Sequence, residues 1–145
     1  MSSDAIGKTY EPVTYAVGRE KVREYARATG DTNPLYLDVE AARAAGHADV
    51  VAPPMFAAVF QAPAVRPGML DPELGIDFSR VVHGAQEFEW GPLVIAGDEI
   101  TSNATIKEIH ERGGMGFFVF EVASDNQRGE RVCTGTWTTI VRGGS

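Results

Sequence analysis

Val50-Val51-Ala52-Pro53-Pro54-Met55-Phe56-Ala57-Ala58-Val59-Phe60 carries no polar side chain, and the way it folds decides the architecture. Pro54 suits the first position of a helix, where its missing N–H costs nothing. The spacing predicts a helix from Met55 to about Ala62, with Gln61 as its one polar side chain. A helix apolar on all sides is normally buried. Pro63 is expected to end or kink it. Residues 63–79, rich in Pro and Gly, then read as a long loop, a candidate flap.

Upstream, residues 1–12 read as an irregular lead-in, and Val13–Val17 as a short strand ended by Gly18. Arg19–Thr29 reads as a helix, with Val22, Tyr25, Ala26 and Thr29 at three- and four-residue spacing. Gly30 supplies the left-handed residue after its last turn. Asp31 to Pro34 form a turn in which Pro34 holds Asn33 extended. Asp38 is the expected N-cap of a short helix, Val39–Ala45, closed by Gly46.

Downstream the pattern changes to strands. Arg80–Trp90 sets Val82, Gly84, Gln86, Phe88 and Trp90 on one face, and Glu99–His110 does so with Ile100, Ala104 and Ile106. Met115–Ser124 and Glu130–Val141 follow, rich in aromatic and β-branched residues. Gly91-Pro92, Gly97-Asp98, Glu111–Gly114 and Asn126–Gly129 break the runs, so an antiparallel meander is expected. Helices set apart from strands define an α+β chain. A sheet that curls around an apolar helix occurs in the hotdog fold and in the cystatin-like cone fold. The small helices before the buried one and the long loop after it favour the hotdog.

The 145 residues read as one domain, 1–145. Twenty acidic against thirteen basic residues give a net charge of −7, a mean field that repels a phosphate backbone, and no Lys/Arg cluster offsets it. Nucleic acid is therefore set aside. Cys133 is the one cysteine, which excludes an internal disulfide and fits a reducing compartment; it reads as a small core residue. Neither a signal peptide nor a membrane span is apparent, so a soluble cytoplasmic protein is expected. His47, His83 and His110 lie far apart in the chain, no metal constellation is seen, and no cofactor is expected.

Taken as residues alone, Asp31 and Asn33 are turn formers, Tyr36 an anchoring aromatic, His83 a hydrogen-bonded, half-buried strand residue, and Met55–Phe60 plain core. Asp31 becomes a candidate base if its carboxylate is partly desolvated and held by neighbours.

Tyr25-Ala26-Arg27-Ala28-Thr29-Gly30-Asp31-Thr32-Asn33-Pro34-Leu35-Tyr36 resembles the hydratase motif Gly-Asp-x-Asn-Pro-x-His of the MaoC-like family. The resemblance runs on through Ala52-Pro53-Pro54-Met55-Phe56, Phe88-Glu89-Trp90 and Ala96-Gly97-Asp98, and so covers most of the chain. It implies a hotdog, paired or fused with another, acting on acyl thioesters as an (R)-specific enoyl hydratase or (3R)-hydroxyacyl dehydratase. In active members the motif aspartate and histidine hold the water that adds or leaves, the asparagine orients the group, and an N–H at the start of the central helix polarises the thioester carbonyl.

The sequence matches that pattern at Asp31 and Asn33 and departs from it twice. Tyr36 stands at the histidine position, and a phenol is a poor acceptor of a proton from water. Pro53-Pro54 stands where active members carry His-Gly, and proline has no N–H to donate. Both departures remove parts of one reaction. The resemblance therefore points to the partner subunit of a heterodimeric (3R)-hydroxyacyl-thioester dehydratase of actinobacterial fatty-acid or mycolate pathways, in which a MaoC-like subunit supplies the intact pair. Met55, Phe56, Val59 and Phe60 would line or back an acyl channel, with acyl-CoA or acyl carrier protein as the thioester. The alternatives are a homodimeric hydratase working through Asp31 and Tyr36, a thioesterase, and a non-enzymatic acyl-thioester binding protein.

Overall fold

The computed structural model describes residues 3–143, so the outermost residues of the expected lead-in and of the 1–145 span lie outside it. The strands are β1 (Val13–Ala16), β2 (Val81–Trp90), β3 (Glu99–Arg112), β4 (Met115–Asp125) and β5 (Arg131–Val141). They form one antiparallel sheet in the order β1-β3-β4-β5-β2. The helices are α1 (Arg19–Ala28), α2 (Pro34–Leu37), α3 (Val39–Ala44) and α4 (Ala57–Met69). The sheet curls around α4, which is the α+β hotdog arrangement.

The core follows α4 from end to end. Around its start, Val22, Phe56, Phe60, Ile100, Val132 and Cys133 pack together. Around its second half, Ala64, Val65, Ile106, Phe118, Phe120 and Val122 do the same. Burial raises the Cys133 thiol pKa to about 11, which keeps it protonated and inert at neutral pH. Gln61, fully buried in the middle of α4, is tied to the sheet. Its Nε2 donates to Val122 O (3.2 Å) and Ser124 Oγ (3.0 Å), and its Oε1 accepts from Trp137 Nε1 (3.0 Å). Ser124 in turn bonds Ser102 Oγ at 2.7 Å, and Ser102 Oγ donates to Phe60 O at 3.4 Å.

Three expectations need correction. The helix does not stop at Pro63. A single 3-10 turn at Pro54–Phe56 leads into α4, which runs through Pro63 and Pro67 to Met69. Val59, Pro63 and Pro67 lie four apart on one stripe, and both prolines are off the buried face. The carbonyls that lose a donor therefore sit on the side nearer solvent, while the opposite face gains the packing. The long loop shrinks accordingly to about residues 70–77. Asp71 in that loop is clasped by Lys8 Nζ (2.6 Å) and Tyr10 Oη (2.7 Å), and the Lys8 ammonium and then the Tyr10 hydroxyl hold its carboxyl at about 2.

The third correction concerns β2. Its pairing with β5 slips between His83 and Ala85, so Val82 lies on the face opposite Gln86, Phe88 and Trp90. The slip turns His83 to the side of Trp137, whose ring it meets edge-on at 5.7 Å. His83 is exposed there rather than half-buried. A like slip in β3, between Ile106 and Glu108, carries burial from the even positions 100–106 to Ile109.

Candidate active site at the head of the central helix

The Asp31 turn is shaped by the end of α1. Gly30, at φ +72°, allows the Gly30 N–H to reach Arg27 O (3.1 Å) and the Asp31 N–H to reach Ala26 O (2.8 Å). This pair of bonds is the Schellman closure, and it fixes where the aspartate projects. Asp31 Oδ1 then accepts from the Asn33 N–H (3.0 Å), and Asn33 Oδ1 caps α2 through the Leu35 N–H (3.0 Å). Among the described residues Asp31 Oδ2 accepts no hydrogen bond.

Residues 50–52 join this turn to the helix. The Val51 N–H donates to Leu35 O (2.8 Å), and the Ala52 N–H donates to Val94 O (2.8 Å). Behind them Asp98, 2 % exposed, accepts from the Ile95 N–H (3.0 Å) and Gln127 Nε2 (2.9 Å), so the Gly97-Asp98 turn is also a buried anchor. Two side chains grip the start of the helix itself. Tyr25 Oη donates to Met55 O (3.1 Å), and Trp90 Nε1 donates to Pro54 O (2.8 Å). Tyr25 also packs edge-on against Phe56 at 5.5 Å. The Phe56 N–H is taken by Pro53 O (2.9 Å). Pro53 and Pro54 have none, so the Met55 N–H is the first amide left without a hydrogen bond among the described residues.

Two cavities flank Pro53-Pro54. One, of about 570 Å³, is lined by Tyr25, Thr29, Gly30, Asp31, Thr32 and Met55. The other, of about 340 Å³, is apolar and lies among Ala57, Phe60, Trp90, Leu93, Val94 and Val132. Of the residues singled out in the sequence, Asp31 and Met55 face the first cavity and Phe60 the second. Asn33 holds the turn without lining either cavity, and Tyr36 is half-buried beside it, also off both linings. Phe56 is fully buried behind the helix start, and Val59 packs on the same core cluster. No histidine lines either cavity. Sequence reasoning missed Tyr25 and Trp90 as the pair that fixes the helix start. The signal for Trp90 was the strand break at Gly91-Pro92, which leaves the indole at the strand's end. The arrangement offers one carboxylate oxygen free to hold water and one peptide N–H free to polarise a carbonyl, beside an apolar cavity.

A hotdog whose Gly-Asp-x-Asn-Pro turn meets the head of the central helix is of the MaoC-like dehydratase and hydratase kind. Residues 4–135 match the family model described as the FAS1-like dehydratase domain region, and the chain belongs to that family. It is 51% identical over 129 residues to a UPF0336 protein of Clavibacter michiganensis subsp. michiganensis, covering 89% of this chain and 87% of the relative. Among solved structures, a chain of the C-terminally truncated HadBC (3R-hydroxyacyl-ACP dehydratase) complex from Mycobacterium tuberculosis aligns with a TM-score of 0.81 at 30% identity, over 97% of this chain and 99% of that one. A MaoC-like dehydratase aligns with a TM-score of 0.82 at 28% identity, over 96% of this chain and 42% of that one. Among the described residues no helix is long and apolar enough to cross a membrane.

Proposed function

We infer that the chain is a subunit of a cytoplasmic (3R)-hydroxyacyl-thioester dehydratase, or (R)-specific enoyl-thioester hydratase, of fatty-acid metabolism. It holds the acyl thioester, as CoA or acyl carrier protein, beside a MaoC-like partner that carries the full catalytic pair. One observation carries this reading: Asp31 presents a free carboxylate oxygen to a cavity that no histidine lines, with Tyr36 outside that lining. The apolar cavity at Phe60, Trp90, Leu93 and Val94 suits an acyl tail, with Met55 towards the thioester and Phe56 and Val59 backing the channel. The similarity to a chain of a dehydratase complex supports a hotdog partner.

The test is crotonyl-CoA hydration by the chain alone and after co-expression with an intact MaoC-like chain. Expected are no turnover alone, turnover in the complex, and a loss of less than tenfold there for Asp31→Asn. A chain that hydrates crotonyl-CoA unaided, and is silenced by Asp31→Asn, belongs instead to the self-sufficient homodimeric reading. The free Met55 N–H favours that second reading, because it restores a donor that Pro53-Pro54 removes. Tyr36→Phe would then be as damaging as Asp31→Asn.

A further inference from the structure

The last turn of α1 sets two free groups against one cavity. Tyr25 Oη donates to Met55 O (3.1 Å), and the next residue, Ala26, accepts the Asp31 N–H on its carbonyl (2.8 Å). Neighbouring residues of one helix thus fix the backbone at Met55 and the turn that carries the Asp31 carboxylate. Asp31 Oδ1 is engaged by the Asn33 N–H (3.0 Å), which leaves Oδ2 as the oxygen without a partner among the described residues. Asp31 and Met55 both line the cavity of about 570 Å³, a volume within the range of small-molecule sites, roughly 300–1,000 Å³.

What the lining lacks narrows the chemistry. Of its residues only Asp31 and Tyr25 titrate, and the Tyr25 hydroxyl proton is spent on Met55 O. Thr29 Oγ1 is turned back to the Tyr25 and Ala26 carbonyls, 3.1 Å from each. Adding water across a double bond needs a base for the water and an acid for the α-carbon. The cavity offers the base and no second group to act as acid. Hydrolysing a thioester asks for less: a base for the water and a donor for the oxyanion. Its leaving group departs unaided, because a thiol ionises at about 8.5.

We propose that the isolated chain hydrolyses acyl thioesters, with Asp31 as the base and the Met55 N–H as the oxyanion donor. Asp31 Oδ2 takes a proton from water as the water oxygen bonds to the thioester carbonyl carbon. The carbonyl oxygen becomes an oxyanion held by the Met55 N–H. The oxyanion then collapses, the C–S bond breaks with its electron pair going to sulfur, and Asp31 returns the proton to the thiolate. The products are a carboxylic acid and a thiol, and nothing is oxidised or reduced. Tyr25 is a positioning residue, acting through Met55. The activity shares the site of the dehydratase reading and rests on that reading only for the thioester class of the substrate.

Butyryl-CoA has no double bond to hydrate, so it isolates this reaction. Thiol release by the full chain is followed with dithiobis(nitrobenzoate), against which the one cysteine, Cys133, is buried. Saturable release above the buffer rate is expected. Asp31→Asn should lower kcat by about tenfold or more with KM little changed. The amide keeps an oxygen for the Asn33 N–H and removes only the base, so the turn stays folded. Tyr25→Phe should lower kcat severalfold at unchanged KM. Release no faster than in buffer overturns the proposal, as does release that Asp31→Asn leaves intact or alters in KM alone. Crotonyl-CoA hydration by the complex is read separately. Hydration there without thiol release by the chain alone defeats the proposal and leaves the dehydratase reading standing, and thiol release without hydration does the reverse.

Discussion

Gly135 leaves a space that Gln61 fills. A Cβ at residue 135 would lie 2.0 Å from Gln61 Oε1, far inside any real contact. Gly135→Ala must therefore push the amide off Trp137 Nε1 and leave buried polar groups short of partners. Overpacking and a lost buried hydrogen bond each cost about 1–3 kcal/mol, so a destabilisation of roughly 2 kcal/mol is expected from urea unfolding. In a Gln61→Ala background the same substitution should cost less than about 1 kcal/mol, because the clash is gone. Equal costs in the two backgrounds would remove Gln61 as the cause. The sequence marks Gln61 as the lone polar residue of its helix, yet its partners are 61, 63 and 76 residues away, beyond what periodicity reaches. The same boundary runs through the site. Gly30 and the Pro53-Pro54 pair are legible as a left-handed cap and two missing donors. That Phe56 has its N–H taken by Pro53 O, leaving Met55 as the free amide, is a matter of three-dimensional arrangement.

At the level of elements, strand alternation and helix caps were legible because each is local: Asp38 does cap α3 through the Glu40 N–H at 2.9 Å. The continuation of α4 was not, because it is decided by the sheet. An interior proline costs about 3 kcal/mol in an isolated helix. Burial of the inner face of the helix, Ala57, Phe60, Ala64 and Val65, holds it through both prolines, each buried methylene or methyl contributing about 0.8 kcal/mol. The cost is still present in the folded state, and this gives a signed prediction. Pro63→Ala restores an N–H towards Val59 O and removes the ring clash, a gain of about 3 kcal/mol. It also frees the unfolded chain, a loss of up to about 1 kcal/mol. The variant should therefore be more stable by roughly 2 kcal/mol in urea unfolding. A less stable variant would mean that packing of the half-buried Pro63 ring outweighs the backbone cost. The β2 slip was hidden for a related reason. Gly84 is its one local mark, since a lone glycine within a strand often sits at a bulge, but that the strand must skip there to keep Phe88 and Trp90 on the helix while following β5 is set by the partner strand.

For the whole molecule the open question is what meets β2. It pairs with β5 from Val81 to Trp90 and has no neighbour among the described residues on its other side. Such an edge is normally shielded by charge or covered. Val82 and Trp90 are 39% and 51% exposed on it, which favours a cover. A second copy is a poor one. In a twofold antiparallel pair, opposed residues share a face, so the axis must fall on a residue. Beyond the slip, the regular run Ala85–Trp90 is centred between Glu87 and Phe88. An axis on Glu87 sets that carboxylate against its own copy, and an axis on Phe88 sets Glu87 against Glu89 twice. Like charges directly opposite destabilise a pair by about 0.2–1 kcal/mol each. A different hotdog, with neutral or basic residues at those positions, escapes the penalty. Sedimentation of the chain alone and mixed with a MaoC-like chain should therefore show the mixed complex severalfold tighter than any self-association. Val82→Asp should weaken it by burying a charge at the edge. Glu87→Lys should tighten self-association severalfold, since it turns repulsion into attraction in the Phe88-centred register and leaves only a Lys-Lys contact in the Glu87-centred one. Self-association that ignores Glu87→Lys and matches the mixed complex would mean that β2 is not the joining edge.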